Sequence, residues 1–211
     1  ITNLRSKLND TNKEVKSKLI IGADGPNSKI RKQFNLPEPV EFLKGVGAEI
    51  KDTDLDSNFV EIFVGKNVAP GFFAWIIPIN SKGSEARVGL CVDDSAMHSP
   101  KYYLDRLFSE KKSAGFLDGT TITKSIGGIV PIGPLKKSYE SNVMLVGDAA
   151  AQVKPTSGGG IFPGILCGEI CSEVAIQALD KLDFTQKFLS KYFKLCKKNI
   201  GKELSRGMHF R

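Results

Sequence analysis

Apolar and polar positions recur along this chain with two periods, and the changes of period mark its organisation. Residues 1–8 and 14–21 read as extended runs around the polar turn Asn9-Asp10-Thr11-Asn12, which predicts a β-hairpin. The second run enters the loop Gly22-Ala23-Asp24-Gly25-Pro26-Asn27-Ser28. A short helix over residues 28–34 should follow and stop before Pro37. Strand patterns come next at residues 41–50, 59–64, 72–79 and 86–92. Asp, Asn, Ser and Gly turns separate them, as in consecutive strands of an antiparallel sheet. Residues 100–110 predict a helix with Tyr103, Leu104, Leu107 and Phe108 on one face, and residues 120–130 read as extended. Residues 143–146 are wholly apolar, the pattern of a strand covered on both faces. The period then becomes helical, over residues 161–182 and again over 184–208. In the second stretch Phe184, Phe188, Tyr192, Cys196, Ile200, Leu204 and Met208 form one stripe, with lysines opposite.

Two strand–loop–helix pieces, residues 14–34 and 143–182, thus flank a mostly antiparallel insert. One α/β domain built from two separated pieces, with a second domain between them, fits this order. The expected divisions are residues 1–38, an insert at 39–135, residues 136–182, and a basic amphipathic helix at 183–211.

Composition narrows the class. The 211 residues are 41% hydrophobic and 25% charged, enough to bury roughly 70% of the unfolded surface. The net charge of +7 is local: residues 181–211 hold nine basic side chains against Asp183 and Glu203, and the rest of the chain balances. A surface basic throughout, the footprint of nucleic-acid binding, is therefore disfavoured. The longest uncharged apolar run, residues 68–79, is shorter than the about 20 residues a spanning helix needs. Cys91, Cys167, Cys171 and Cys196 make no CxxC pair or disulfide framework, and only two histidines are present, so no metal site is expected.

Two glycine junctions carry candidate chemistry. In the first, residues 143–146 deliver Gly147 and Asp148 to the carboxyl end of a strand, where open α/β sheets bind ligands. Asp148 offers an acceptor-only carboxylate suited to sugar-like hydroxyls. Pro155, Gly158, Gly159, Gly160 and Ile161 then open a helix whose first N–H groups form an anion site. The plain alternative is a tight turn with glycines for packing. In the second, Ala23, Asp24 and Gly25 follow a buried strand, and Asp24 can either orient hydroxyls or cap the next helix.

Together, Gly22-Ala23-Asp24-Gly25 with Ser28 and Arg31, and Gly147-Asp148-Ala149-Ala150 with Pro155 and its glycines, resemble the DG and GD motifs of the p-hydroxybenzoate-hydroxylase-like flavoproteins. The resemblance implies an FAD/NAD(P)-binding Rossmann-like domain with an inserted antiparallel substrate domain. It implies that Asp148 holds the ribityl chain of FAD and that residues 158–161 approach the flavin. Asp24 would lie near FAD.

Pro70-Gly-Phe-Phe73-Ala-Trp75-Ile-Ile77-Pro78 further resembles the PxxYxWxFP signature of geranylgeranyl reductases, with Phe73 for Tyr and Ile77 for Phe. Phe73, Trp75 and Ile77 share one face of a strand, an apolar wall for a long chain or an ordinary sheet core. The resemblance implies FAD-dependent reduction of carbon–carbon double bonds in geranylgeranyl chains, as in archaeal glycerolipids, with NAD(P)H or a ferredoxin as electron donor. An aromatic monooxygenase or halogenase, and a non-catalytic lipid-binding module, are the alternatives. The strand–GxGxxG–helix fingerprint of the superfamily has no counterpart here, so the expectation is a fragment that begins inside the flavin domain. Lys187, Lys191, Lys194, Lys198 and Lys202 form either a solvated face or a contact for anionic lipid or an acidic electron donor. The location implied is cytoplasmic, with peripheral contact at the inner membrane surface.

Overall fold

The computed structural model describes residues 2–8, 11–113, 115 and 117–211. The elements run β1 (Thr2–Leu8), β2 (Thr11–Ser17), β3 (Ile20–Gly22), α1 (Lys29–Gln33), β4 (Glu41–Lys51), β5 (Glu61–Val64), β6 (Phe73–Pro78), β7 (Glu85–Val92), α2 (Pro100–Ser113) and β8 (Thr121–Ile132). They continue with β9 (Tyr139–Glu140), β10 (Val143–Leu145), a 3-10 turn Gly147–Ala150, α3 (Ile161–Lys181), α4 (Gln186–Asn199) and α5 (Gly201–Phe210). Two compact units result, one of Ile1–Glu41 with Pro131–Arg211 and one of Phe42–Val130.

In the first unit β1 and β2 pair antiparallel. Asn9 and Asp10 of the expected turn lie outside the described residues. The extended run expected to continue to residue 21 breaks after Ser17, because β3 changes partner. It pairs parallel with β10, Leu145 opposite Gly22. The two-residue β9, too short to show a period, completes the sheet order β3-β10-β9. All three residues of β10 are buried, as its unbroken apolar pattern requires. Met144 packs with Cys167, Ile170, Cys171 and Val174 of α3 and with Leu189, Tyr192 and Cys196 of α4. Among the described residues α3 alone has the length and composition to cross a membrane, but 39% of its most apolar window is buried inside the protein. Its inner side is a core face.

The single helix expected over residues 184–208 is two helices. Ile200 closes α4 and opens α5 with φ −121°. Asn199 and Gly201 flank it, and both are weak helix formers. The apolar stripe survives the break: Tyr192, Cys196, Ile200 and Leu204 are all buried. Lys202 consequently belongs to α5 and the other four lysines to α4.

In the second unit the strand order is β5-β6-β7-β4-β8. Strands β5, β6 and β7 form a meander, but β4 lies beyond β7 rather than beside β5. Helix α2 covers one face, where Tyr103, Leu104, Leu107 and Phe108 pack on Ala48, Ile50, Ala74, Ile76, Val88 and Leu90.

Candidate functional site

The parallel pair β3 and β10 sends both glycine loops out of the same sheet end. The Val146 N–H donates to Gly22 O at 2.9 Å, one step beyond the last ladder pair. Gly22 must lack a side chain here, since a Cβ would stand 2.6 Å from Leu145 Cδ2 and 2.9 Å from Ile30. Arg31, fully buried in α1, ties the loops together. Its Nη1 donates to Ala149 O at 3.0 Å and its Nη2 to Pro26 O at 2.9 Å.

Asp24 is used by its own loop. Its Oδ1 accepts from Ser28 Oγ at 2.6 Å, and its Oδ2 accepts from the N–H groups of Lys29 at 2.7 Å and Ile30 at 3.1 Å. Burial pushes this carboxyl up, but the hydrogen bonds from Ser28 and the backbone outweigh it and hold the pKa below its ordinary value. Capping, one of the two roles open to it in the sequence, is what the geometry provides. Ala23 is exposed beside it, and Gly25 turns the chain at φ +78°.

Asp148 is the opposite case. It lies in the 3-10 turn, half-buried, and no hydrogen bond reaches its carboxylate among the described residues. Burial raises its pKa. The N-terminus of α3 stands against it: a Cβ at Gly160 would lie 2.9 Å from Asp148 Oδ1 and 3.3 Å from Val153. One turn on, Gly164 approaches the Gly147 Cα to within 3.7 Å of its own missing Cβ. Helix α3 has no side-chain cap at Gly160, so its first N–H groups stay available to an acceptor. Ile161 is 83% exposed at this end.

The loop between is shaped from behind. Pro155 is buried, and a Cβ at Gly207 of α5 would touch its ring at 2.9 Å. Lys154 pairs with Glu203 of α5 at 2.8 Å. Gly158 carries the positive φ of +70° that the loop needs, and Gly159 is exposed next to it. Pro155 therefore acts as a packing residue of the loop.

A buried network holds the Gly147 turn, and no motif announced it. The Gly147 N–H donates to Gln152 Oε1 at 2.7 Å, Gln152 Nε2 donates to Tyr192 Oη at 2.8 Å, and Tyr192 Oη donates to Leu145 O at 2.7 Å. The available signal was Tyr192 itself, a hydroxyl inside an otherwise apolar helix stripe.

In the second unit Phe73, Trp75 and Ile77 share one half-buried face of β6, while Ala74 and Ile76 enter the core. A furrow of about 260 Å³ runs beside Trp75, apolar apart from Arg87, whose Nε donates to Glu49 Oε1 at 3.2 Å. Glycines make its floor. Trp75 lies opposite Gly89, and Gly89 opposite Gly47, and a Cβ at Gly89 would stand 2.6 Å from the indole. Gly45, Gly127 and Gly128 extend this floor, and Ile126 and Ile129 stand on the far side. Glycine weakens strands, so a row of it across neighbouring strands points to close approach by another group. Of the signature residues only Trp75 lines the furrow. Phe73 packs edge-on against it, centroids 5.8 Å apart. Pro78 lines a separate small hollow, and Pro70 is buried in the preceding turn, where its carbonyl accepts from Asp93.

Comparison with known proteins gives this arrangement a context. The chain is 35% identical over 182 residues to digeranylgeranylglycerophospholipid reductase of Methanocaldococcus jannaschii, covering 84% of this chain and 46% of that protein. It spans about half the length of the curated relatives it matches. Its fold matches a geranylgeranyl bacteriochlorophyll reductase-like protein of Thermoplasma acidophilum with a TM-score of 0.85 at 24% identity, over 95% of this chain and 51% of the other. The flavin-dependent halogenase CmlS matches with a TM-score of 0.70 at 17% identity, over 93% and 37% of the two chains. The family model described as FAD binding domain matches residues 2–165. The chain belongs to the FAD binding domain family.

Proposed function

We propose that this protein uses FAD to reduce carbon–carbon double bonds in the geranylgeranyl chains of membrane glycerolipids. The observation that carries the substrate class is the furrow beside Trp75, floored by glycines and apolar apart from Arg87, which suits a long, largely apolar chain. The printed name of the Methanocaldococcus relative supports the same reading.

The first unit fits the cofactor. Asp148 supplies an unpartnered, half-buried carboxylate that can accept from ribityl hydroxyls, and the uncapped start of α3 suits a pyrophosphate. Gly160 clears the space between them. Reduced FAD, when bound, would supply a hydride to one alkene carbon, and a proton from water would complete the other. The chain's own share is to bind and align. Asp148 and the α3 N-terminus hold the cofactor, Arg31 and the Gln152–Tyr192 network keep the two loops in place, and Trp75 and its glycines hold the apolar chain away from water. The exposed Lys187, Lys191, Lys194, Lys198 and Lys202 would meet anionic headgroups at the inner membrane surface or an acidic electron donor.

The test is to reduce the FAD-loaded protein without oxygen and add geranylgeranyl glycerolipid. Flavin reoxidation with gain of one H2 per double bond in the lipid is expected. Reoxidation only by oxygen, with an aromatic substrate hydroxylated or halogenated, would favour the monooxygenase reading. Lipid binding without any flavin would favour a carrier.

A further inference from the structure

The first unit also contains a hollow whose wall shares Gln152 with the network above but takes in none of the residues proposed to hold the cofactor or the lipid. Its volume is about 360 Å³, within the range of small-ligand pockets, roughly 300–1,000 Å³. Its wall takes in neither Asp148 nor any residue of the loop at Asp24. The junction of α4 and α5 at Ile200 and Gly201 forms one side, and residues 150–152 form another.

The chemistry of the wall is specific. Leu135, Phe193, Ile200 and Leu204 make it apolar. Ser138 also belongs to it, is 3% exposed, and has a buried Oγ with no hydrogen-bond partner among the described residues. Buried hydroxyls are nearly always paired, so an orphan in a pocket wall points to a ligand that completes it. Lys136 and Lys197 stand in the wall as exposed cations, and no Asp or Glu lines it. An apolar body under a positive rim, with one free hydroxyl, selects a molecule of matching polarity.

We propose that this hollow binds a small anionic amphiphile: one short apolar chain ending in a carboxylate or phosphate. The chain lies against Phe193 and Leu204, the head is held between Lys136 and Lys197, and Ser138 Oγ gains its missing hydrogen bond. The site stands apart from the flavin reading, since none of its argued residues belongs to the proposed cofactor site.

Calorimetric titration of the intact protein with decyl phosphate and with decanoate, both below their micellar concentrations, tests this. Saturable one-to-one binding is expected, and decanol should bind at least tenfold more weakly. Whichever of the two anions binds more tightly identifies the head. The double variant Lys136→Glu/Lys197→Glu should lose at least tenfold for the anions and leave decanol unchanged. Ser205→Trp, at an exposed position of the wall, should abolish binding of all three with an unchanged melting temperature. Inorganic phosphate binding as tightly as decyl phosphate would reduce the site to a surface anion contact and overturn the proposal. So would non-saturating heats, or equal affinity in the Ser205→Trp variant.

Discussion

Asp24 and Asp148 follow similar strand ends and have opposite chemistry. Asp24 spends both oxygens on Ser28 and on the start of α1, so it acts within the fold. Asp24→Ala should cost about 1 kcal/mol, the usual loss at a helix cap, while flavin affinity changes only through the loop. Its depressed pKa gives a sign. The stability it adds is present above the ordinary carboxylate value and is lost as pH falls through the folded value. Acid melts of the wild type and the variant should therefore converge at low pH. Among the described residues the Asp148 carboxylate has no partner, and burial raises its pKa. Its contribution runs the other way: Asp148's own share of the flavin-free protein's stability is fully present below the ordinary carboxylate value and is lost as pH rises through the raised value. Asp148→Asn should accordingly stabilise the flavin-free protein at neutral pH by up to about 1 kcal/mol, and weaken FAD at least tenfold. Loss of FAD binding without that gain in thermal stability would mean that the carboxylate is not strained when unliganded. The residue scale also shows a limit of motif reading. A DG aspartate and a GD aspartate look equivalent in a string, and only their hydrogen-bond partners separate the two.

At the scale of elements, register decides what pattern alone leaves open. Strand β6 read correctly as an alternating strand, and its Phe73, Trp75, Ile77 face is the one turned away from α2. Why that face forms a furrow depends on Gly89 and Gly47 lying opposite one another on neighbouring strands, a pairing across about forty residues of chain that no local window contains. Gly89→Ala should push the indole of Trp75 aside. A change in the single tryptophan's fluorescence, with weaker binding of a prenyl lipid and unchanged FAD affinity, is the expected result. Unaltered fluorescence would show that the ring does not rest on Gly89. The helical stripe of α4 is equally legible, yet the role of its Tyr192 hydroxyl depends on Gln152 and Leu145, which only the fold brings beside it. Tyr192→Phe removes an acceptor for Gln152 and a donor for Leu145 O. It should cost about 1–3 kcal/mol, because Leu145 O loses its tyrosine donor and Gln152 Nε2 keeps only Cys196 Sγ, and chemical denaturation reads this directly. The break at Ile200 leaves no mark in the pattern, because the four-residue spacing of apolar positions continues across it. Burial kept the stripe in phase while Asn199 and Gly201 interrupted the backbone.

At the scale of the whole molecule, the two-piece unit with an insert follows from chain order, since the strand–loop–helix signals sit on either side of an antiparallel stretch. The charge is equally plain: the basic excess maps to exposed lysines of α4 and α5. If these meet a membrane, vesicles with anionic headgroups should retain the protein at low salt. Lys187→Glu with Lys194→Glu should weaken retention by about 1 kcal/mol per site removed, and neutral vesicles should show no difference. Equal retention on neutral vesicles would leave the lysines as a solvated face.

By itself the sequence determined the kind and order of most elements, the burial of β10, the apolar stripe of α4, and the two glycine loops with their aspartates. Hydrophobic period and turn chemistry are local, and those features need nothing else. Tertiary structure alone decided which strands are neighbours, that Arg31 joins one loop to the other, which aspartate is spent and which is free, and that glycines from distant strands meet beneath Trp75. Each of these depends on groups far apart in the chain being brought within hydrogen-bond or van der Waals distance. That information resides in register and packing, and no stretch of residues holds it alone.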